Sequence, residues 1–253
     1  MRVPVPFADR ADARYLSAAP RRALPIEVSM LPTLVRAAVL FAVPLAAQAP
    51  TVNEPSSNVP FPVYMNAANG AHQILMGTGI RTRTLLKVKV YAFGLYVDSA
   101  AARSALGSFA GQAQRDLERS DAFYSAVLRM QFSMTLRLVM TRDVSGERMT
   151  EAFDGALRPR VVAAAGRNMP GGEAALEHFR AYFSLDELTN GAELAFTCTP
   201  DGMLTSRVAG QQRDPITNPA LCWALFDVYL GQDPISGDGK KSIIANFPAL
   251  LGT

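Results

Sequence analysis

Arg81 and Tyr91 are the residues whose types and spacing could do chemistry. Both fall in a β-branched and aromatic stretch, residues 73–98. Gly77-Thr-Gly79 reads there as a turn, with Arg81 just after it and Tyr91 ten residues on, in the next expected strand. A hairpin centred between them would bring a guanidinium fork beside a phenolic hydroxyl. Such a pair is a receptor for a carboxylate or a phenolate oxyanion. On spacing alone a simpler reading is favoured, with Arg81 and Arg83 as solvated strand charges and Tyr91 packing an edge.

Other chemistries find less support. His72 and His178 lie 106 residues apart with no ligand-like spacing, so no metal site is expected. There is no G-x-S-x-G, P-loop or dinucleotide fingerprint, so no cofactor is expected either. Cys198 and Cys222 have no histidine near them in sequence, which disfavours a thiol nucleophile. Export would permit the two thiols to pair. A domain of this size needs no staple, and free thiols are the favoured expectation.

The elements that must position Arg81 and Tyr91 follow from periodicity. Lys87-Val-Lys-Val-Tyr-Ala alternates, as in a strand with one wet and one covered face. Residues 100–129 read as two helices broken near Gly111. Phe132, Met134, Leu136, Leu138 and Met140 line one face of the clearest strand. Ser145 opens a helix with Met149, Phe153, Ala156 and Leu157 on one side, and Pro159 is expected near its end. A helix over 173–183 and a hairpin turning at Asp201-Gly202 come next. Asn218-Pro219 starts a last helix that closes at Gly231. Strands in two groups with helices between them predict an α+β fold, an antiparallel sheet with helices packed on one face.

The chain has 253 residues, 25 basic against 22 acidic, for a net charge of +3. That surplus invites a nucleic-acid reading until its location is checked. Residues 1–49 hold six arginines against Asp9, Asp12 and Glu27, so residues 50–253 are balanced at 19 of each sign. No nucleic-acid partner is expected. Residues 1–29 show no periodicity and read as a disordered or mis-called extension. Residues 30–49 combine Arg36, a short apolar run and Ala47-Gln48-Ala49, the pattern of a secretory signal. The run is too short to span a bilayer comfortably. A start at Met30, a long basic leader and a buried helix are the readings that compete there. Export is favoured, with cleavage near Ala49, a periplasmic or secreted location, and a single domain over 50–253 without a transmembrane segment.

Gly77-Thr-Gly79-Ile-Arg81 and Lys89-Val-Tyr91-Ala-Phe-Gly94-Leu-Tyr96 resemble the chalcone isomerase-like family, especially its exported bacterial members. The likeness continues through Arg142-Asp-Val-Ser145-Gly146, Thr199-Pro-Asp-Gly202 and Ala224-Leu-Phe-Asp-Val-Tyr-Leu-Gly231. It spans roughly residues 60–250. The resemblance implies an open-faced β-sandwich with a cleft beneath its helices. In the plant isomerases of the family, an arginine matching Arg81 stabilises developing charge. Their water-organising threonine falls at Tyr91, their helix tyrosine at Met149 and their cleft asparagine at Ala156. A Ser or Thr of the last helix falls at Cys222. Met and Ala cannot relay protons, whereas family members that bind fatty acids keep the arginine with a tyrosine beside it.

The resemblance therefore implies a monomer that binds a fatty acid or similar amphiphilic carboxylate without turnover. Arg81 and Tyr91 would hold the head group. Met149, Phe153, Ala156, Leu221 and Cys222 would line the cleft. The alternatives are a chalcone–flavanone-type isomerase acting on an enone, with Arg81 and Tyr91 as its catalytic pair, and a non-catalytic envelope scaffold.

Overall fold

The computed structural model describes residues 49–67, 70–83 and 87–252. The N-terminal extension and the apolar export segment up to residue 48 lie outside the described residues. In chain order the strands and helices are β1 (Thr51–Asn53), β2 (Pro60–Pro62), β3 (Tyr64–Asn66), β4 (His72–Arg83), β5 (Val88–Asp98), α1 (Ser99–Ala105), α2 (Gln114–Glu118) and α3 (Asp121–Val127). Then follow β6 (Met134–Met140), β7 (Val144–Ser145), α4 (Gly146–Ala165), α5 (Gly172–Ala181) and β8 (Glu187–Leu188). The rest are β9 (Glu193–Cys198), β10 (Met203–Val208), β11 (Gln211–Gln212), β12 (Ile216–Thr217), α6 (Pro219–Leu230), α7 (Gly237–Ile244) and α8 (Phe247–Leu251).

The main sheet runs β11-β10-β9-β6-β5-β4-β3, with β12 added beside β10. Its pairings are antiparallel. Phe93, Leu95, Leu136 and Leu138 on its inner face share one core with Phe153 of α4 and Phe226 of α6. This is the α+β arrangement expected, a sheet with its helices gathered against one side.

Several local expectations need correction. Gly77 and Gly79 are not a turn; they sit inside β4. A Cβ on Gly77 would lie 2.6 Å from the backbone of Ser242, and one on Gly79 would lie 2.7 Å from Gly239 Cα. The glycines are there so that α7 can lie directly on the strand. Asn246 Nδ2, just beyond α7, donates to the Met76 carbonyl at 2.8 Å. Residues 99–127 form three short helices with a 3-10 turn at Gly107–Phe109, not two helices. Asp98 and Ser120, which accept backbone N–H groups as N-caps, restart the chain at two of those helices.

Pro159 does not end α4, which continues to Ala165. The proline forfeits one backbone bond, but Leu157, Val161 and Ala164 are buried on both sides of it and hold the helix together. α6 is not the last helix, since α7 and α8 follow. β5 has no wholly wet face: Phe61 of β2 folds over Ala92, Tyr96 and Val139 on the outer side of the sheet. Ser145 does cap α4, its Oγ accepting from the Arg148 N–H at 3.3 Å.

The expectation of free thiols is also overturned. Cys198 and Cys222 form a disulfide that ties β9 to α6. Both cysteines are buried, facing each other from the sheet and the helix above it, a proximity that a 24-residue separation in sequence does not reveal.

Candidate functional site

Arg81 and Tyr91 are direct cross-strand partners in the β4–β5 hairpin. Opposed residues of an antiparallel pair project to the same face, so both side chains point toward the helices. A bulge just after Arg81 shifts the register before the strand continues to Arg83. The side chains reach a cavity of about 660 Å³ between the sheet, α4, α6 and the segment that joins α6 to α7. Its apolar wall includes Val90, Met149, Phe153, Ala156, Leu225 and Val228. Arg83, Arg142 and Arg148 also border it.

The Arg81 guanidinium is half-buried and donates through Nη1 to the Ile235 carbonyl at 3.3 Å. Among the described residues it forms no ion pair, so its charge is held in place by a neutral acceptor. Beside it the Tyr91 hydroxyl lies 3.1 Å from the Tyr229 hydroxyl. Burial pushes the Tyr91 phenol above its ordinary range, while the bond to Tyr229 and the Arg81 charge pull it back in part. Burial lifts Tyr229 well above that range, and Tyr91 adds to the effect. Both phenols are therefore protonated at neutral pH. Either hydroxyl can donate to the other, and when Tyr229 donates, the Tyr91 proton is left for a guest.

Of the residues singled out in the sequence, Arg81, Tyr91, Met149, Phe153 and Ala156 border this one cavity. Leu221 and Cys222 do not. Leu221 is fully buried, and Cys222 sits about 10 Å up α6 from Tyr229, two helical turns away, with its sulfur committed to Cys198. The α6 residues that do face the cavity are Leu225, Val228 and Tyr229. Tyr229 was missed by reading motifs. Its signal was a hydroxyl within a helix that is apolar apart from Asp227, since a buried phenol calls for a partner. His72 stacks on Tyr64 and His178 tilts against Tyr182, both away from the cavity.

Comparison with known proteins bears on this geometry. Residues 71–244 match the family model described as chalcone isomerase like. The chain belongs to the chalcone isomerase-like family. A protein of Oryza sativa subsp. japonica named chalcone–flavanone isomerase is 30% identical over 204 residues, covering 75% of this chain and 86% of that protein. Fatty-acid-binding protein 2 of Arabidopsis thaliana is 30% identical over 198 residues. Those residues are 75% of this chain and 49% of the plant protein, so the chain spans about half the length of that relative. The crystal structure of another Arabidopsis thaliana fatty-acid binding protein superposes with a TM-score of 0.69 at 21% identity, covering 80% of this chain and 99% of that one. That likeness establishes the chalcone isomerase-like fold for this chain.

Proposed function

We propose that this family member binds a long-chain carboxylate such as a fatty acid, without turning it over. The observation that carries the reading is the half-buried Arg81, without an ion pair among the described residues, beside a protonated phenol on an apolar cavity wall. Alkyl burial supplies most of the affinity in such a site, about 0.8 kcal/mol per methylene. The guanidinium and the Tyr91 hydroxyl then orient the head group by charge-assisted hydrogen bonds. The Arabidopsis relatives named as fatty-acid-binding proteins support this direction. Mass spectrometry of molecules extracted from natively purified protein tests it. A co-purifying alkyl carboxylate is expected; a protein that carries none and takes up none on titration rejects the reading.

A second reading has one observation in its favour. The same Arg81 and Tyr91 donors could hold an enone oxygen as charge develops on it, as required of an isomerase like the named rice relative. Met149 and Ala156, which carry no proton to exchange, weigh against it. Loss of chalcone absorbance faster than the spontaneous rate, abolished by Arg81→Ala, would establish it.

Export is part of the proposal. The secretory pattern at residues 30–49 supports it, and so does the Cys198–Cys222 bond, which persists in oxidising compartments and is rare in reducing ones. Mapping the N-terminus of the protein from its native cell tests this. A new N-terminus near Pro50 is expected, and full-length chain in the cytosol contradicts it.

A further inference from the structure

A second cavity, of about 920 Å³, adjoins the first, and Arg160 borders both. α4 runs past the two in sequence. Met149, Phe153 and Ala156 face the first, Pro159 and Ala163 face the second, with Arg167 bordering it just past the helix end, and Arg160 stands at the joint. Three hydrogen bonds fix its guanidinium there. Nε donates to Asp227 Oδ2 at 2.9 Å, Nη1 to the Ala156 carbonyl at 2.8 Å, and Nη2 to the Asp233 carbonyl at 2.7 Å. Arg160 and Asp227 are both mostly buried, with 16% and 18% of their side chains exposed. An arginine tied to α4, α6 and the following loop at once is a wall, not a solvated surface charge. The second cavity behind it has apolar lining of its own, including Leu128, Met130, Met169 and Trp223.

We propose that Arg160, braced by Asp227, sets the depth of the ligand cavity and so the chain length it accepts. This rests on the alkyl-carboxylate reading of the first cavity. In the wild type the alkyl tail stops at the Arg160 side chain. With that side chain cut back, the two cavities become one passage, and longer tails extend toward Trp223. Charge plays no part in the limit; the bulk of the locked side chain does.

Trp223 is the chain's single tryptophan and lies beyond the wall, so its fluorescence reports on the second cavity alone. The test titrates saturated fatty acids of increasing length, some brominated at the terminal carbon to quench tryptophan on contact, into three proteins. These are the wild type, Arg160→Ala/Asp227→Asn and Arg160→Met/Asp227→Asn. Asp227 is changed with Arg160 so that no carboxylate is left unpaired. Wild-type affinity should rise by about fourfold per methylene and then level off, with Trp223 unquenched at every length. The alanine variant should keep rising past that limit and show quenching with long chains only. The methionine variant, which keeps the bulk, should level off where the wild type does.

The same limit in the wild type and the alanine variant overturns the proposal. Quenching of wild-type Trp223 overturns it too, and that arm needs no variant to fold. If the wild type binds no fatty acid of any length, the alkyl-carboxylate reading itself fails and this inference falls with it. That result is distinct from binding with an unmoved limit.

Discussion

The hydroxyls of Tyr91 and Tyr229 meet at 3.1 Å across 138 residues of chain. One comes from a strand and the other from the helix above it, and both are buried. Phe93 packs edge-on against the Tyr229 ring, with centroids 4.8 Å apart, and fixes its orientation. A hydroxyl that receives one hydrogen bond is a better donor of its own proton. In the arrangement where Tyr229 donates to Tyr91, Tyr229 acts on a guest through Tyr91.

Tyr91→Phe removes the direct donor and Tyr229→Phe only its support. If the site binds an alkyl carboxylate, Tyr91→Phe should weaken binding by about 1 kcal/mol or somewhat more, roughly five- to tenfold. Tyr229→Phe should cost less. Calorimetric titration of the two variants checks the order; a Tyr229→Phe effect larger than that of Tyr91→Phe would make Tyr229 the direct donor and Tyr91 its support.

The tyrosines also set the alkaline limit of the fold. Burial raises Tyr91 and Tyr229, and pushes Tyr96, Tyr124 and Tyr182 up to about 12. Above pH 10 the unfolded chain releases these protons while the native protein still holds them. Stability contributed by the protonated phenols is therefore full below pH 10 and is lost as pH rises above it. Chemical denaturation at a series of pH values should show a midpoint insensitive to these groups from pH 7 to 9 and falling beyond 10.

Reduction should be costly. The Cys198–Cys222 bond closes a loop over a separation of 24 residues, a constraint worth about 3 kcal/mol in the chain-entropy model. Cys198→Ala/Cys222→Ala should lower Tm by roughly 6–12 °C, measured by calorimetry. An unchanged Tm would mean that the bond does not form in the protein under test.

Gly77 makes a sharper packing test. Gly77→Ala would drive a methyl group into the backbone of Ser242 and Ile243, at a cost of about 1–3 kcal/mol. Gly155→Ala, at the rim of the cavity where an added Cβ would meet nothing within 4 Å, should instead stabilise by roughly 0.5–1 kcal/mol. Denaturant midpoints of the two variants should move in opposite directions.

These residues also mark how far the sequence could be read. Alternation announced β6, Ser145 announced α4, and Arg81 with Tyr91 implied the hairpin that the register now pairs. Each rests on neighbours in the chain. The misread features depend on partners far away. Gly77 answers to Ser242, Cys198 to Cys222, Tyr91 to Tyr229, and Pro159 is tolerated because α5 and α6 pack around α4. Leu221 and Cys222 follow from the resemblance, which sets a last-helix Ser or Thr of the family at Cys222, whereas the cavity lies further along α6 at Leu225, Val228 and Tyr229. A two-turn displacement along a helix is enough to send a side chain elsewhere.

The central claim is that Arg81 anchors an alkyl carboxylate, and calorimetric titration of one long-chain fatty acid and its alcohol into wild type and Arg81→Gln tests it most directly. Wild type should bind one fatty acid per chain, and Arg81→Gln should bind it about 10- to 100-fold more weakly, the loss of a charge-assisted hydrogen bond. The alcohol should bind both proteins alike. Equal affinity of the two proteins for the acid, or no binding by the wild type, would contradict the claim.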